Sequence, residues 1–227
     1  MKDTQVPALL AQSKSAKVAP TLAGDIISAV FSTIPGVGSI AKLAEIYSEK
    51  RLQKARDILI REIQEGNVDQ IGNEQLIELF GSVIKYHDAV RQGEYEHNLK
   101  ILASYIGRGL ALSSLDAAEF SYDARMIEFL TSFQISLIGY CHELDVSGLT
   151  TKDKGCPDIR YLTTSHLKRG ISNLSLVSNY EIESSLHILS TRGLLTPMSS
   201  TWSDGGNFYS INASIERIVR SSSKYFK

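Results

Sequence analysis

The stretch IAKLAEIYSEKRLQKARDILIREIQEG, residues 40–66, decides the class of the protein. Its apolar side chains fall at Ile40, Leu43, Ala44 and Tyr47, then at Leu52, Ala55, Ile58 and Leu59. Steps of three and four residues line them along one side of an α-helix. The other side is polar, with Lys42, Glu45, Glu49, Lys50, Arg51, Lys54, Arg56 and Asp57. Ser39 has the side chain of an N-cap, whose hydroxyl accepts from a backbone N–H of the first turn. Gly66 suits the left-handed residue that closes a helix.

The same period continues downstream. Asn73 is read as the cap of a second helix, with a stripe at Leu76, Ile77, Phe80, Val83, Ile84 and Tyr86 or His87. That helix either breaks at Gly93 or runs on through Leu99, Leu102 and Ile106, because one interior glycine costs only about 1 kcal/mol. Gly107-Arg108-Gly109 is read as its end. A third helix, near Ser114 to Glu143, carries Ala117, Phe120, Met126, Phe129, Leu130, Phe133, Leu137 and Ile138 on more than one stripe. That pattern suits a well-buried helix. Between residues 20 and 145 no segment reads convincingly as a strand. The expected fold is mainly α, with a flexible N-terminus at 1–19 and an α-helical bundle at 20–145.

The last third changes character. Residues 146–160 gather Gly148, Gly155, Cys156-Pro157 and several charges, the mark of a linker or exposed loop. Asn179 then caps a helix through Ile182, Leu186, Ile188 and Leu189 that stops at Arg192-Gly193. Leu194 to Pro197 reads as a short strand, residues 202–207 as a turn, and Phe208 to Ile211 as the returning strand. Asn212 caps a last helix with Ile215, Ile218 and Val219. Helix, hairpin and helix in this order predict a small winged-helix-like α+β unit over residues 161–227. Helix-turn-helix domains lay the helix before the hairpin in the major groove. Its outward positions are read as Glu181, Glu183, Ser184, Ser185, His187, Ser190, Thr191 and Arg192, poor in the cations that phosphate requires. Lys168, Arg169, Arg192, Arg217 and Arg220 are the candidate nucleic-acid contacts.

Upstream of the opening stretch, Leu22–Ala41 is twenty residues with one charge, Asp25. That is the length of a bilayer span, but Asp25, four hydroxyl residues and Pro35-Gly36-Val37-Gly38 interrupt it. It reads as two short helical pieces with a break, buried or interfacial rather than spanning. Ile26, Ile27, Val30, Phe31, Ile34, Pro35, Gly36 and Gly38 form the candidate membrane or partner segment. Met1 to Lys17 is polar and carries no apolar core of a secretory signal. The expected location is the cytoplasm, with membrane association as the second expectation.

Composition agrees with a soluble globular chain: 227 residues, 43% apolar, 22% charged. Net charge is -1, which announces no nucleic-acid binder. The charges are nonetheless segregated along the chain, net +3 over residues 1–60, -8 over 61–150 and +4 over 151–227. Two cysteines, Cys141 and Cys156, make neither a disulfide scaffold nor a four-cysteine zinc site.

No catalytic constellation stands out. Walker, nucleophile-elbow and zincin patterns are missing. Gly36-Val37-Gly38 lacks the third glycine and preceding strand of a dinucleotide fingerprint. Glu94 and His97 form one Glu-x-x-His, where a di-iron bundle needs two and two further glutamates. Glu183 and His187 suit an intrahelical pair, and Cys141-His142 are adjacent and so diverge on a helix. No catalytic, metal or cofactor residues are therefore assigned, and no small-molecule substrate is identified.

The layout resembles the bacterial abortive-infection alpha-type family. The resemblance rests on Ile34-Pro35-Gly36-Val37-Gly38-Ser39-Ile40, the helical run after it, Arg192-Gly193-Leu194-Leu195 and Phe208-Tyr209-Ser210-Ile211. It implies a phage-defence or growth-arrest role and carries over no catalytic residue. The leading expectation is a non-enzymatic interaction or effector protein with a protein partner or a second copy of itself, acting through its apolar 22–41 segment. The alternative is a winged-helix transcriptional regulator binding DNA.

Overall fold

In the computed structural model the described residues are 19–31, 41–66, 71–147, 151–152, 160–170, 174, 176–198 and 208–226. The chain is mainly helical with small antiparallel strand pairs near its C-terminal end. It divides into two compact units, residues 1–121 and 122–227.

The first unit is built from α1 (Ala19–Phe31), α2 (Ala41–Glu65), α3 (Asn73–Gln92), α4 (Glu96–Ala111) and the start of α5 (Ala117–Ile127). Its core sets Leu52, Ala55, Leu59 and Ile63 of α2 with Leu79, Val83 and Tyr86 of α3 and Leu99, Leu102 and Ile106 of α4. Tyr86 is fully buried and donates its hydroxyl hydrogen to the Ala55 carbonyl at 3.0 Å. The backbones of α2 and α4 come into close contact at Gly107. A Cβ there would lie 2.5 Å from the Glu62 carbonyl oxygen. Gly107 is thus a point of close approach inside α4, not the end of a helix; α4 continues to Ala111. The break at Gly93 is real, and its φ of 95° is the left-handed region that glycine enters without strain. Gly72, not Asn73, is the N-cap of α3.

The expected third helix is two. The α5 helix stops at Ile127 and α6 (Ser132–Val146) starts afresh. Between them Phe129 takes a positive φ of 55°. Thr131 then opens α6 with a capping box: Thr131 accepts from the Gln134 N–H, and the Gln134 side chain accepts from Thr131 N–H at 2.9 Å. The Thr-x-x-Gln pattern marks a helix start and outweighed the continuous apolar periodicity.

The second unit holds the rest of α5, then α6, β1 (Thr151–Lys152), β2 (Arg160–Tyr161), α7 (Thr164–Gly170), α8 (Asn179–Thr191), β3 (Leu195–Met198), β4 (Phe208–Ile211) and α9 (Ala213–Ser221). The division falls between residues 121 and 122 rather than near 145, and α6 packs against α7, α8, α9 and β4. The region read as a linker, 146–160, contains β1 and ends in β2, and the two strands pair antiparallel. Strand β3 pairs antiparallel with β4, Leu195 opposite Ile211 and Met198 opposite Phe208. Leu162 bridges Tyr209, extending the pairing on the other side of β4. Asn212 closes the base of the hairpin: its side chain accepts from Ser214 N–H and donates to the Gly193 carbonyl at 2.9 Å. Ser178, not Asn179, caps α8 by accepting from Glu181 N–H at 3.1 Å. The core of this unit gathers Leu137, Ile138, Cys141, Leu162, Leu167, Ile182, Leu186, Leu189, Ile215 and Ile218.

Candidate functional site

The outer face of α8 combines exposed carboxylates with an exposed tyrosine. Ile182, Ser185, Leu186 and Leu189 turn inward, a spacing that fixes which residues face out. Exposed are Tyr180, Glu181, Glu183, Ser184, His187 and Thr191. Ser185, read from the sequence as outward, is buried. The thirteen residues of α8 contain no Lys or Arg. At its N-terminal end Leu176 is 97% exposed and Tyr180 82% exposed. Sequence reading missed both residues. A helical wheel would have found Tyr180, which lies off the Ile182–Leu186–Leu189 stripe; Leu176 precedes the helix and gives no periodic signal.

The five candidate nucleic-acid contacts do not form one set. Arg217 is bound to Asp123, Nε donating at 2.9 Å and an Nη at 2.8 Å to the two carboxylate oxygens, with a further bond to Ser214 Oγ at 3.0 Å. Asp123 is 1% exposed and Arg217 is 32% exposed. This is a bidentate, largely desolvated pair of the strong kind. Arg220 pairs with Glu216 one turn away at 2.5 Å, on the surface. Lys168 and Arg169 sit in the last turn of α7, and Arg192 follows α8 with its guanidinium 3.5 Å from the Arg125 carbonyl. Among the described residues these three cations have no carboxylate partner.

The described part of the apolar segment, residues 23–31, packs into a core. Ala23, Ile26, Ile27 and Phe31 of α1 are buried, while Val30 is half-buried and Asp25 exposed. This face packs on α2 and α3. The Phe31 ring meets the His87 ring edge-on at 4.9 Å. Arg56 of α2 donates to Ser28 of α1 at 2.8 Å. Ile34, Pro35, Gly36, Gly38 and Ser39 lie outside the described residues. No helix among the described residues is long and apolar enough to cross a membrane. His87 is buried, and among the described residues its Nε2 finds no hydrogen-bond partner. Burial holds its pKa below the ordinary 6.5, against a smaller raising effect of Asp88.

The sequence motifs for chemistry resolve into structural roles. Glu94 is buried and accepts from Tyr95 N–H and the Asn98 side chain, both at 2.8 Å, which secures the entry to α4. His97 instead stacks on Tyr95 at 5.5 Å. Cys141 is fully buried and its pKa is pushed up to about 12 by desolvation, so its thiol is not poised as a nucleophile. Cys156 lies outside the described residues. Among the described residues no group of three or more His, Cys, Asp or Glu is placed to hold a metal ion. No family model, curated protein or solved structure matches the chain.

Two outcomes follow from these contacts. Arg217→Ala removes the bidentate cation from the buried Asp123 carboxylate, which costs about 3 kcal/mol, whereas Arg220→Ala stays within about 0.5 kcal/mol. Urea unfolding of the two variants measures both. For His87, the folded pKa lies below the unfolded value, so the unfolded chain binds protons first as pH falls. Stability is full above pH 6.5 and is lost progressively as pH drops below it. Thermal midpoints of wild type decline over that range, and those of His87→Gln decline less.

Proposed function

We propose that this chain is a non-enzymatic interaction protein of the bacterial abortive-infection type, acting in phage defence or growth arrest through its second unit. That unit is read as a winged-helix module used for protein contact. The order α6, Leu162, α7, α8, β3 and β4, with Leu162 bridged to Tyr209 and β3 paired to β4, supports this reading. In such modules the helix before the hairpin faces the major groove. Here that helix turns Glu181 and Glu183 outward and brings no cation of its own. Phosphate binding draws on several Lys or Arg. An exposed aromatic and an exposed aliphatic side chain, rimmed by polar groups, suit a protein surface instead. This outer face of α8 is the observation that carries the proposal.

Release of residues 22–41 onto a membrane fits less well. It would pull Ala23, Ile26, Ile27 and Phe31 off α2 and α3 and leave the apolar faces of those helices open to water, at about 25 cal/mol per Å² of apolar surface. Contact through α8 needs no such unpacking. A second reading, a DNA-binding regulator, rests on the module's layout and on Lys168, Arg169 and Arg192, which keep no carboxylate partner among the described residues.

The test is a phage challenge of bacteria expressing the full chain. Wild type lowers plaque formation. Leu176→Ser combined with Tyr180→Ala, at equal expression and with an unchanged circular-dichroism spectrum, loses at least about tenfold of that effect, the counterpart of roughly 1.4 kcal/mol of contact energy. Full protection by the double variant, or none by wild type, contradicts the proposal.

A further inference from the structure

Helix α1 rests on α2 and α3 through one face, Ala23, Ile26, Ile27 and Phe31, and Phe31 is its last residue. The Phe31 ring stands against two neighbouring side chains of α3, the Tyr86 ring at 6.4 Å and the His87 ring at 4.9 Å. His87 is 6% exposed, and its Nε2 is buried with no hydrogen-bond partner among the described residues. A neutral imidazole occupies such a place as a mostly apolar ring. An imidazolium adds a charge and makes both ring nitrogens donors where water is excluded.

The surrounding charges do not make up for this. On α3 itself Asp88 favours a positive charge on His87 and Arg91 opposes it, and burial is the larger influence. The one charge of α1, Asp25, is exposed. Arg56 of α2 donates to Ser28, three residues before Phe31, and Arg51 of α2 donates to the Glu94 carbonyl, so the α2 groups at these contacts are cations. Ahead of α4, the buried Glu94 carboxylate accepts from Tyr95 N–H and the Asn98 side chain. Glu96 of α4 meets Lys54 and Lys100, and Glu78 of α3 accepts from Ala117 N–H of α5. Among the described residues no carboxylate lies within ion-pair distance of the His87 ring. We propose that His87 is an acid-released latch: protonation of its ring drives Phe31 off α3 and opens α1 from α2 and α3, while α2, α3 and α4 stay packed together. The contacts that join those three helices do not pass through α1: Tyr86 donates to the Ala55 carbonyl, and Gly107 meets the Glu62 backbone. Elements held by one face open at lower free energy than the core beneath them. The sign follows from linkage. The latched ring has its pKa below 6.5 and the released ring returns to about that value, so falling pH favours release. The latch lies in the first unit and is independent of the reading of α8.

Hydrogen–deuterium exchange of the full chain, read by mass spectrometry at about pH 7.5 and about pH 5.0, tests the latch, with labelling times scaled for the intrinsic pH dependence of amide exchange. The lower value is about 1.5 units below the ordinary histidine pKa and still above the ordinary carboxylate range. Peptides from α1 are expected to lose at least about threefold of their protection at the lower pH, whereas peptides covering Leu99 to Ile106 of α4 keep theirs. The other histidine of this unit, His97, stacks on Tyr95 rather than on α1. His87→Leu and His87→Gln both remove the titrating ring. In either variant with a wild-type circular-dichroism spectrum, protection of α1 ceases to depend on pH, and if one does not fold the other carries the comparison. Equal protection of α1 at the two pH values overturns the proposal. So does loss of protection in α1 and α4 together, which is unfolding of the whole unit, or a folded His87 variant that keeps the wild-type response.

Discussion

The ion pair between Asp123 and Arg217 is the constraint on which the second unit depends. A carboxylate removed from water is costly unless a cation and further hydrogen bonds meet it. Arg217 does so with two bonds to the two carboxylate oxygens, and a third bond to Ser214 fixes the guanidinium. The pair joins α5 to α9, ninety-four residues apart in sequence. Between those anchors run α6, α7, α8 and the β3–β4 hairpin, closed at its base by Asn212. A chain tied at both ends holds α8 with Ile182, Leu186 and Leu189 inward, and so decides which residues reach the surface.

The same pair also redraws the electrostatics. Arg217 is the member of the C-terminal basic set that the fold consumes, and Arg220 is matched locally by Glu216. The acidic middle seen along the sequence does not survive folding into units. Residues 1–121 carry thirteen Lys or Arg against fifteen Asp or Glu, and residues 122–227 carry eleven against ten. Asp123, Glu128, Glu143 and Asp145 belong with the basic C-terminal residues, and neither unit is strongly charged. Long-range attraction to a polyanion would need a concentrated positive field; the surface of α8 offers carboxylates and an exposed tyrosine in its place.

Helical periodicity made the class and most elements legible: the span ending at Glu65, the stop at Arg192-Gly193, strand β4 and the Asn212 cap all stand where the residues put them. Where reading failed, a local signal was outweighed or misassigned. Gly107 was taken as punctuation, although glycine also permits two backbones to touch, and only the packing partner Glu62 reveals which role applies. The break at Phe129 was masked by apolar residues on both sides, although Thr131 and Gln134 carried the capping pattern. The basic candidates were selected by charge alone. Whether a guanidinium is free depends on a carboxylate ninety-four residues away, which no spacing rule reaches. Tyr180 was legible on a helical wheel, but Leu176 was not, because exposure outside a periodic element is a property of the fold.

The central claim is that α8 meets protein rather than phosphate. Fluorescence anisotropy of a labelled DNA duplex, titrated with the full chain at low and at physiological salt, tests it most directly. The account predicts only weak binding that disappears as salt is raised and does not depend on duplex sequence. Binding that survives physiological salt, prefers one sequence and is lost on changing Lys168, Arg169 and Arg192 together would contradict it.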